Sequence, residues 1–119
     1  MVDPQVLCRK HLLGEHGEIH KHRHNFVKHH SVTKRIELGQ IEPSSMETRH
    51  DALVVEMLRR DYNHQSPYEQ PDISYLPKEQ QTFMVDVDQS LADLIGRCPE
   101  CAERYRRRQN AEMEVPQRA

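Results

Sequence analysis

Apolar residues recur at Cys8, Leu12, Ile19 and Phe26, a spacing that draws one stripe along an α-helix. Asp3-Pro4 supplies a start, because aspartate caps free amides and proline tolerates the first helical position. The pattern predicts one long helix from Pro4 to about His30. Gly14 and Gly17 lie inside it, each costing about 1 kcal/mol relative to alanine. Such glycines mark either a kink or the close approach of another backbone or a ligand. Residues 31–42 read as a connector. Ser44 and Glu47 then have the spacing of a capping box. Met46, His50, Leu53, Val54, Met57 and Leu58 follow at helical intervals, predicting a second helix to about Tyr62.

Pro67, Pro71 and Pro77 make residues 63–88 a long irregular loop. Asp88 or Ser90 can cap a third helix carrying Leu91, Leu94 and Ile95 and ending near Gly96. Residues 102–110 read as helical and basic. There is no strand-like alternation and no internal repeat. The expectation is an all-α, single compact three-helix domain over residues 1–110, with a frayed tail at 111–119.

Composition narrows this further. Only 35% of the 119 residues are hydrophobic, 5% are aromatic and there is no tryptophan, which excludes a large core. No apolar run approaches the roughly eighteen residues of a membrane span. No apolar stretch follows a basic start, so the expected setting is cytoplasmic, where thiols stay reduced. The 17 basic and 19 acidic residues nearly cancel, but they are not mixed evenly. Arg9, Lys10, Lys21, Arg23, Lys28, Lys34 and Arg35 face only Glu15 and Glu18 in their segment, and Arg104, Arg106, Arg107 and Arg108 form a second basic cluster. Either these are solvated helix faces, or they meet a polyanion. Nine histidines are present, six of them between His16 and His30.

Two sets of residues carry candidate chemistry. Cys98-Pro99-Glu100-Cys101 is a C-x-x-C, and Cys8 with His11 forms a C-x-x-H, which together complete a tetrahedral zinc set. The alternative is a tight turn between two helices. His11, Glu15, Glu18 and His22 fall on one helical face, with His16, Lys21 and Asn25 beside them. A carboxylate among histidines and a lysine can act as a general base, stabilise a cation or bind a metal. It can also be a plain salt-bridged surface. The spacing misses both zinc-protease patterns, H-E-x-x-H and H-x-x-E-H, which argues against that chemistry.

The run Leu7-Cys8-Arg9-Lys10-His11-Leu12-Leu13-Gly14-Glu15-His16-Gly17-Glu18 resembles the start of the pyrimidine-dimer DNA glycosylases of the phage endonuclease V type. Arg49-His50-Asp51-Ala52-Leu53, Glu56-Met57, Arg60-Asp61-Tyr62-Asn63-His64, Asp72-Ile73-Ser74 and Arg97-Cys98-Pro99-Glu100-Cys101 follow in the family's order, over roughly residues 3–105. The resemblance implies an all-α fold and a repair glycosylase with abasic-site lyase activity on ultraviolet-damaged pyrimidines in double-stranded DNA. In that family the amine of the chain's own start attacks the sugar of the damaged nucleotide and forms a Schiff base. The resemblance assigns catalysis to Glu18, His11 and the amine at Val2. It places Lys21 where a DNA-binding arginine is usual, and His16, His22, Arg49, Arg59 and Arg60 are further candidates for DNA contact. It requires no cofactor; the C-x-x-C and C-x-x-H spacing adds a candidate structural zinc at Cys8, Cys98 and Cys101, and a monomer is expected.

The departures are specific. Gly17 stands where an arginine is usual, Asp61 replaces a common glycine, and the aromatic-rich tail of larger members is missing. A helix from Pro4 would also set Val2 about 21 Å from Glu18 along the axis. Two residues do not span that, so the expectation is a start further upstream, a helix broken at Gly14 or Gly17, or a substitute amine at Lys10 or Lys21. The runner-up function is a small helical module of phage type that binds nucleic acid or protein without catalysis. A Glu18 buried beside His11 in a basic pocket favours the enzyme, and a Glu18 in open solvent favours the module. A third reading binds a metal through His11, Glu15, Glu18 and His22.

Overall fold

The structure is a computed structural model that describes residues 2–64 and 67–114, with side chains as far as Ala111. Its helices are α1 (Arg9–Val27), α2 (Thr33–Glu37), α3 (Met46–Arg59), α4 (Lys78–Gln81), α5 (Val87–Arg97) and α6 (Pro99–Glu114), and there is no strand among the described residues. The all-α expectation therefore holds, but four long helices replace three. Residues 111–114 of the expected tail fall within α6, and 115–119 lie outside the described residues.

The first helix starts later than the sequence pattern predicts. Asp3 does cap, its Oδ1 accepting from Gln5 N–H at 2.9 Å, yet Pro4–Val6 forms only a 3₁₀ turn. Leu7 and Cys8 are extended, and α1 begins at Arg9. Arginines of α3 and α6 impose this path. Arg49 donates to the Val2 carbonyl, Arg60 to those of Pro4 and Leu7, and Arg104 to that of Gln5. These carbonyls are bound by side chains from elsewhere in the fold, so the segment packs across the helices instead of extending α1. The axial separation expected between Val2 and Glu18 consequently does not arise.

Leu12, Ile19 and Phe26 are buried on α1, and Met46, His50, Leu53 and Met57 on α3, so the predicted stripes meet in one core. Leu58 is an exception and is exposed. Gly14 and Gly17 neither break α1 nor admit a close neighbour: a Cβ at either position would meet open space. The capping box also fails to form. Ser45, not Ser44, precedes α3, and the backbone N–H of Glu47 donates to Gln70 Oε1 while its carboxylate accepts from Gln70 N–H. The long loop is therefore tied to the start of α3. Its far end is fixed by buried Glu42, which accepts from Val85 N–H at 2.7 Å. Asp86 then caps α5 through Gln89 N–H, two residues before the earlier expected cap.

Candidate functional site

Glu15 and Glu18, neighbours one turn apart on α1, have opposite surroundings. Arg49, buried on α3, grips Glu15 with Nε at 2.5 Å and Nη2 at 2.9 Å. Its Nη1 donates to the Val2 carbonyl at 2.5 Å, so a single guanidinium joins the amino end of the chain to α1. Both oxygens of Glu15 are committed to that fork. Glu18 is exposed, has no partner among the described residues, and lines neither of the two clefts described below. His11 does not share its surroundings. The face that unites His11, Glu15, Glu18 and His22 in the sequence is divided among three environments, and those four side chains form no metal-sized group.

His11 instead faces thiols. Its Nδ1 lies 3.1 Å from Cys8 Sγ and 3.4 Å from Cys101 Sγ, and Cys8 Sγ lies 3.9 Å from Cys98 Sγ. A tetrahedron with zinc–sulfur bonds of about 2.3 Å has edges of roughly 3.7 Å, which these separations approach. Cys8 precedes α1, Cys98 ends α5 and Cys101 opens α6, so the four donors tie three helices together. Backbone N–H groups of Cys8 and Cys101 donate to Cys101 Sγ and Cys98 Sγ, the outer hydrogen bonds that favour a thiolate. All three thiols are free of disulfides. The Cys101 and Cys98 environments differ: burial pushes the Cys101 thiol up to about 12, whereas the Cys101 backbone N–H holds Cys98 below its usual value.

A second cluster is absent from the expectations above. His16, His20, His50 and His64 offer ring nitrogens that all lie within 4.8 Å of one another. His16 belongs to it rather than to an exposed surface. Burial, then the neighbouring imidazoles, lowers the His16 pKa to about 4, and burial likewise lowers that of His20. The one sequence signal was the i, i+4 spacing of His16 and His20, which puts two imidazoles on one helical face.

The expected DNA-contacting residues separate by exposure. His22 and Arg49 are buried, and Arg60 is spent on Glu56 and on two backbone carbonyls. Lys21 and Arg59 are exposed. Arg59 joins Arg104, Arg107 and Arg108 around a cleft of about 420 Å³. Glu56 lies at its floor, within 3.6 Å of Arg59 and 3.8 Å of Arg104. Another cleft, of about 480 Å³, is lined by His20, Arg23, Tyr68 and Glu69 among others. No helix among the described residues is long and apolar enough to cross a membrane.

Helices alone among the described residues, an arginine-lined cleft and an exposed carboxylate one turn from Glu15 define a small helical protein suited to a polyanion. The chain belongs to the pyrimidine dimer DNA glycosylase family, whose model matches residues 1–70, more than half of its length. No curated protein and no solved structure matches it.

Proposed function

We propose that this chain is a DNA repair glycosylase with abasic-site lyase activity, acting on ultraviolet-damaged pyrimidines in duplex DNA. Family membership carries the reading, and the Arg49 fork supports it. An amine at the amino end attacks C1′ of the damaged nucleotide, and the glycosidic electron pair leaves with the base. Loss of the amine proton and opening of the sugar ring give the Schiff base. Removal of a C2′ proton then expels the 3′ phosphate and cuts the strand. An α-amine suits this role, since its ordinary pKa of about 7.7–8 leaves a neutral fraction at physiological pH. Glu18 stabilises the cationic intermediate and moves the protons. Unlike Glu15, it has no cation already bound to it, and DNA laid over α1 would cover it. Lys21, Arg59 and the Arg104–Arg108 cluster hold phosphates without reading sequence. His11 serves the thiol cluster: with Cys8, Cys98 and Cys101 it would hold a zinc ion that fixes the junction of α1, α5 and α6, in a chain that acts as a monomer in a reducing compartment.

The test is cleavage of irradiated duplex. The intact chain should nick it at dimers and leave unirradiated duplex uncut, and Glu18→Gln should lower the rate about 100-fold or more. A non-catalytic nucleic-acid-binding module is the second reading, favoured by one observation: Glu18 is exposed and lines neither of the two clefts described above. Equal binding of irradiated and plain duplex, with neither cut, would decide for that module.

A further inference from the structure

Nothing in the proposed chemistry uses His16, His20, His50 or His64, yet their arrangement is hard to explain without a ligand. The Nε2 atoms of all four are closed off from solvent and have no hydrogen-bond partner, and the Tyr68 hydroxyl beside them is in the same condition. A buried polar atom left unsatisfied is destabilising, and four converging in one place are unusual in a folded protein. His50, at the centre, is 2% exposed. Its Nδ1 is engaged by Asp51 Oδ1 at 3.1 Å, which leaves Nε2 as the nitrogen facing the cluster. A carboxylate behind a histidine is the usual outer partner of a metal-bound imidazole, fixing the ring and its tautomer.

The ring spacing is equally specific. Ring centroids are 4.8 Å apart for His16–His20, 5.0 Å for His16–His50 and His16–His64, 4.9 Å for His20–His50 and 5.2 Å for His50–His64. Four imidazoles around one ion at a metal–nitrogen distance of about 2.0–2.1 Å place their centroids roughly 5.2 Å apart. Most of these pairs meet edge to face rather than stacked, an arrangement compatible with rings radiating from one centre. The four rings come from α1, α3 and the segment just after α3, so their convergence is a product of the fold and not of one local run.

We propose that His16, His20, His50 and His64 bind one divalent transition-metal ion of the zinc type through four imidazole nitrogens. Imidazole donors suit zinc, copper, nickel and iron, and four neutral ligands leave the full double charge of the ion in place. This site therefore differs in kind from the thiol cluster, whose three thiolates would outweigh a bound zinc and leave a net negative charge. The ion sits at the edge of the cleft lined by His20, Arg23 and Tyr68, adding positive charge to a wall that already carries a guanidinium. It also clamps the His64 segment onto α1 and α3. The site stands on its own geometry and is independent of whether the chain cuts DNA.

Cobalt(II) titration of the full chain distinguishes the two clusters, because only thiolate ligands give near-ultraviolet sulfur-to-cobalt charge transfer. The intact chain should take up two equivalents. Cys98→Ser with Cys101→Ser should lose the charge-transfer band and keep the visible absorption of a tetrahedral all-nitrogen site. His64→Gln, at a half-buried position outside the helices, should keep the charge-transfer band. It should also weaken uptake of the other equivalent by more than the roughly 10–100-fold that loss of an outer partner costs. The same result is expected for His16→Gln, with far-ultraviolet circular dichroism checking that each variant is folded. If His64→Gln and His16→Gln bind both equivalents as tightly as the intact chain, the proposal is wrong. It is equally wrong if the intact chain shows charge transfer and only one equivalent.

Discussion

Arg49 donates to Glu15 with two nitrogens and to the Val2 carbonyl with a third, all within a nearly closed environment. Removing it strands a carboxylate and a buried carbonyl together, and breaking such a pair costs about 3–5 kcal/mol. Arg49→Ala should therefore lower stability by about 3 kcal/mol in denaturant unfolding. Arg59→Ala removes an exposed guanidinium and leaves buried Glu56 still paired with Arg60, so it should change stability by less than about 1 kcal/mol. Equal losses from the two variants would contradict this assignment. His22 gives a pH prediction. Burial, then the charges of Arg35 and Lys21, lowers its pKa below the ordinary 6.5, and its Nδ1 has no partner. Below about pH 6.5 the unfolded chain takes up a proton that the folded chain refuses, so stability falls with acidification. His22→Leu should lessen that fall between pH 6.5 and 5, with His16 and His20 supplying the part that remains, measured by thermal unfolding across the range.

At the scale of elements, helix faces were readable in the sequence and helix ends were not. The Cys8–Leu12–Ile19–Phe26 stripe and the α3 stripe both become core, because burial selects apolar residues at fixed helical spacing. The ends depend on long-range partners that no local pattern contains: arginines of α3 and α6 hold residues 2–7, and Gln70 replaces the capping box. The stops were obscured for another reason. α1 and α3 both end in Schellman turns, closed by His30 N–H to Asn25 and Tyr62 N–H to Met57, but the left-handed positions are His29 and Asp61 rather than glycine. The Asp61 departure from the family pattern thus falls at a φ of 62°, where glycine is at ease. Asp61→Gly should raise stability by about 0.5–1 kcal/mol. Gly14→Ala and Gly17→Ala, at helical positions with open space around them, should each add about 1 kcal/mol. A loss of stability in either alanine variant would mean that a neighbour does approach those glycines.

Over the whole molecule, residues distant in the chain meet at two clusters, and only one was legible beforehand. Cys8, His11, Cys98 and Cys101 could be paired in the sequence because both halves have metal-ligand spacing. His50 and His64 have none: His50 reads as an apolar position of α3, and His64 sits alone after it. Charge was legible as segments, but not as usable surface. Arg49 and Arg60 are consumed by the fold, and Arg104 and Arg108 are held by Gln5, Asp3 and Glu56, so on the proposed reading the exposed Lys21 and Arg59 are the residues to probe for phosphate contact. The logarithm of duplex affinity should fall linearly with the logarithm of salt, and Lys21→Ala or Arg59→Ala should each lessen that slope by about 1. Arg60→Ala should act on stability first.

The central claim is an amine at the amino end forming a Schiff base with the sugar of damaged DNA. Borohydride reduction of the chain mixed with irradiated duplex, followed by peptide mapping of the adduct, tests it directly. The account predicts a covalent adduct on irradiated duplex alone, carried on the amino-terminal peptide. Failure to trap any adduct, or an adduct mapped to Lys10 or Lys21 instead, would contradict it.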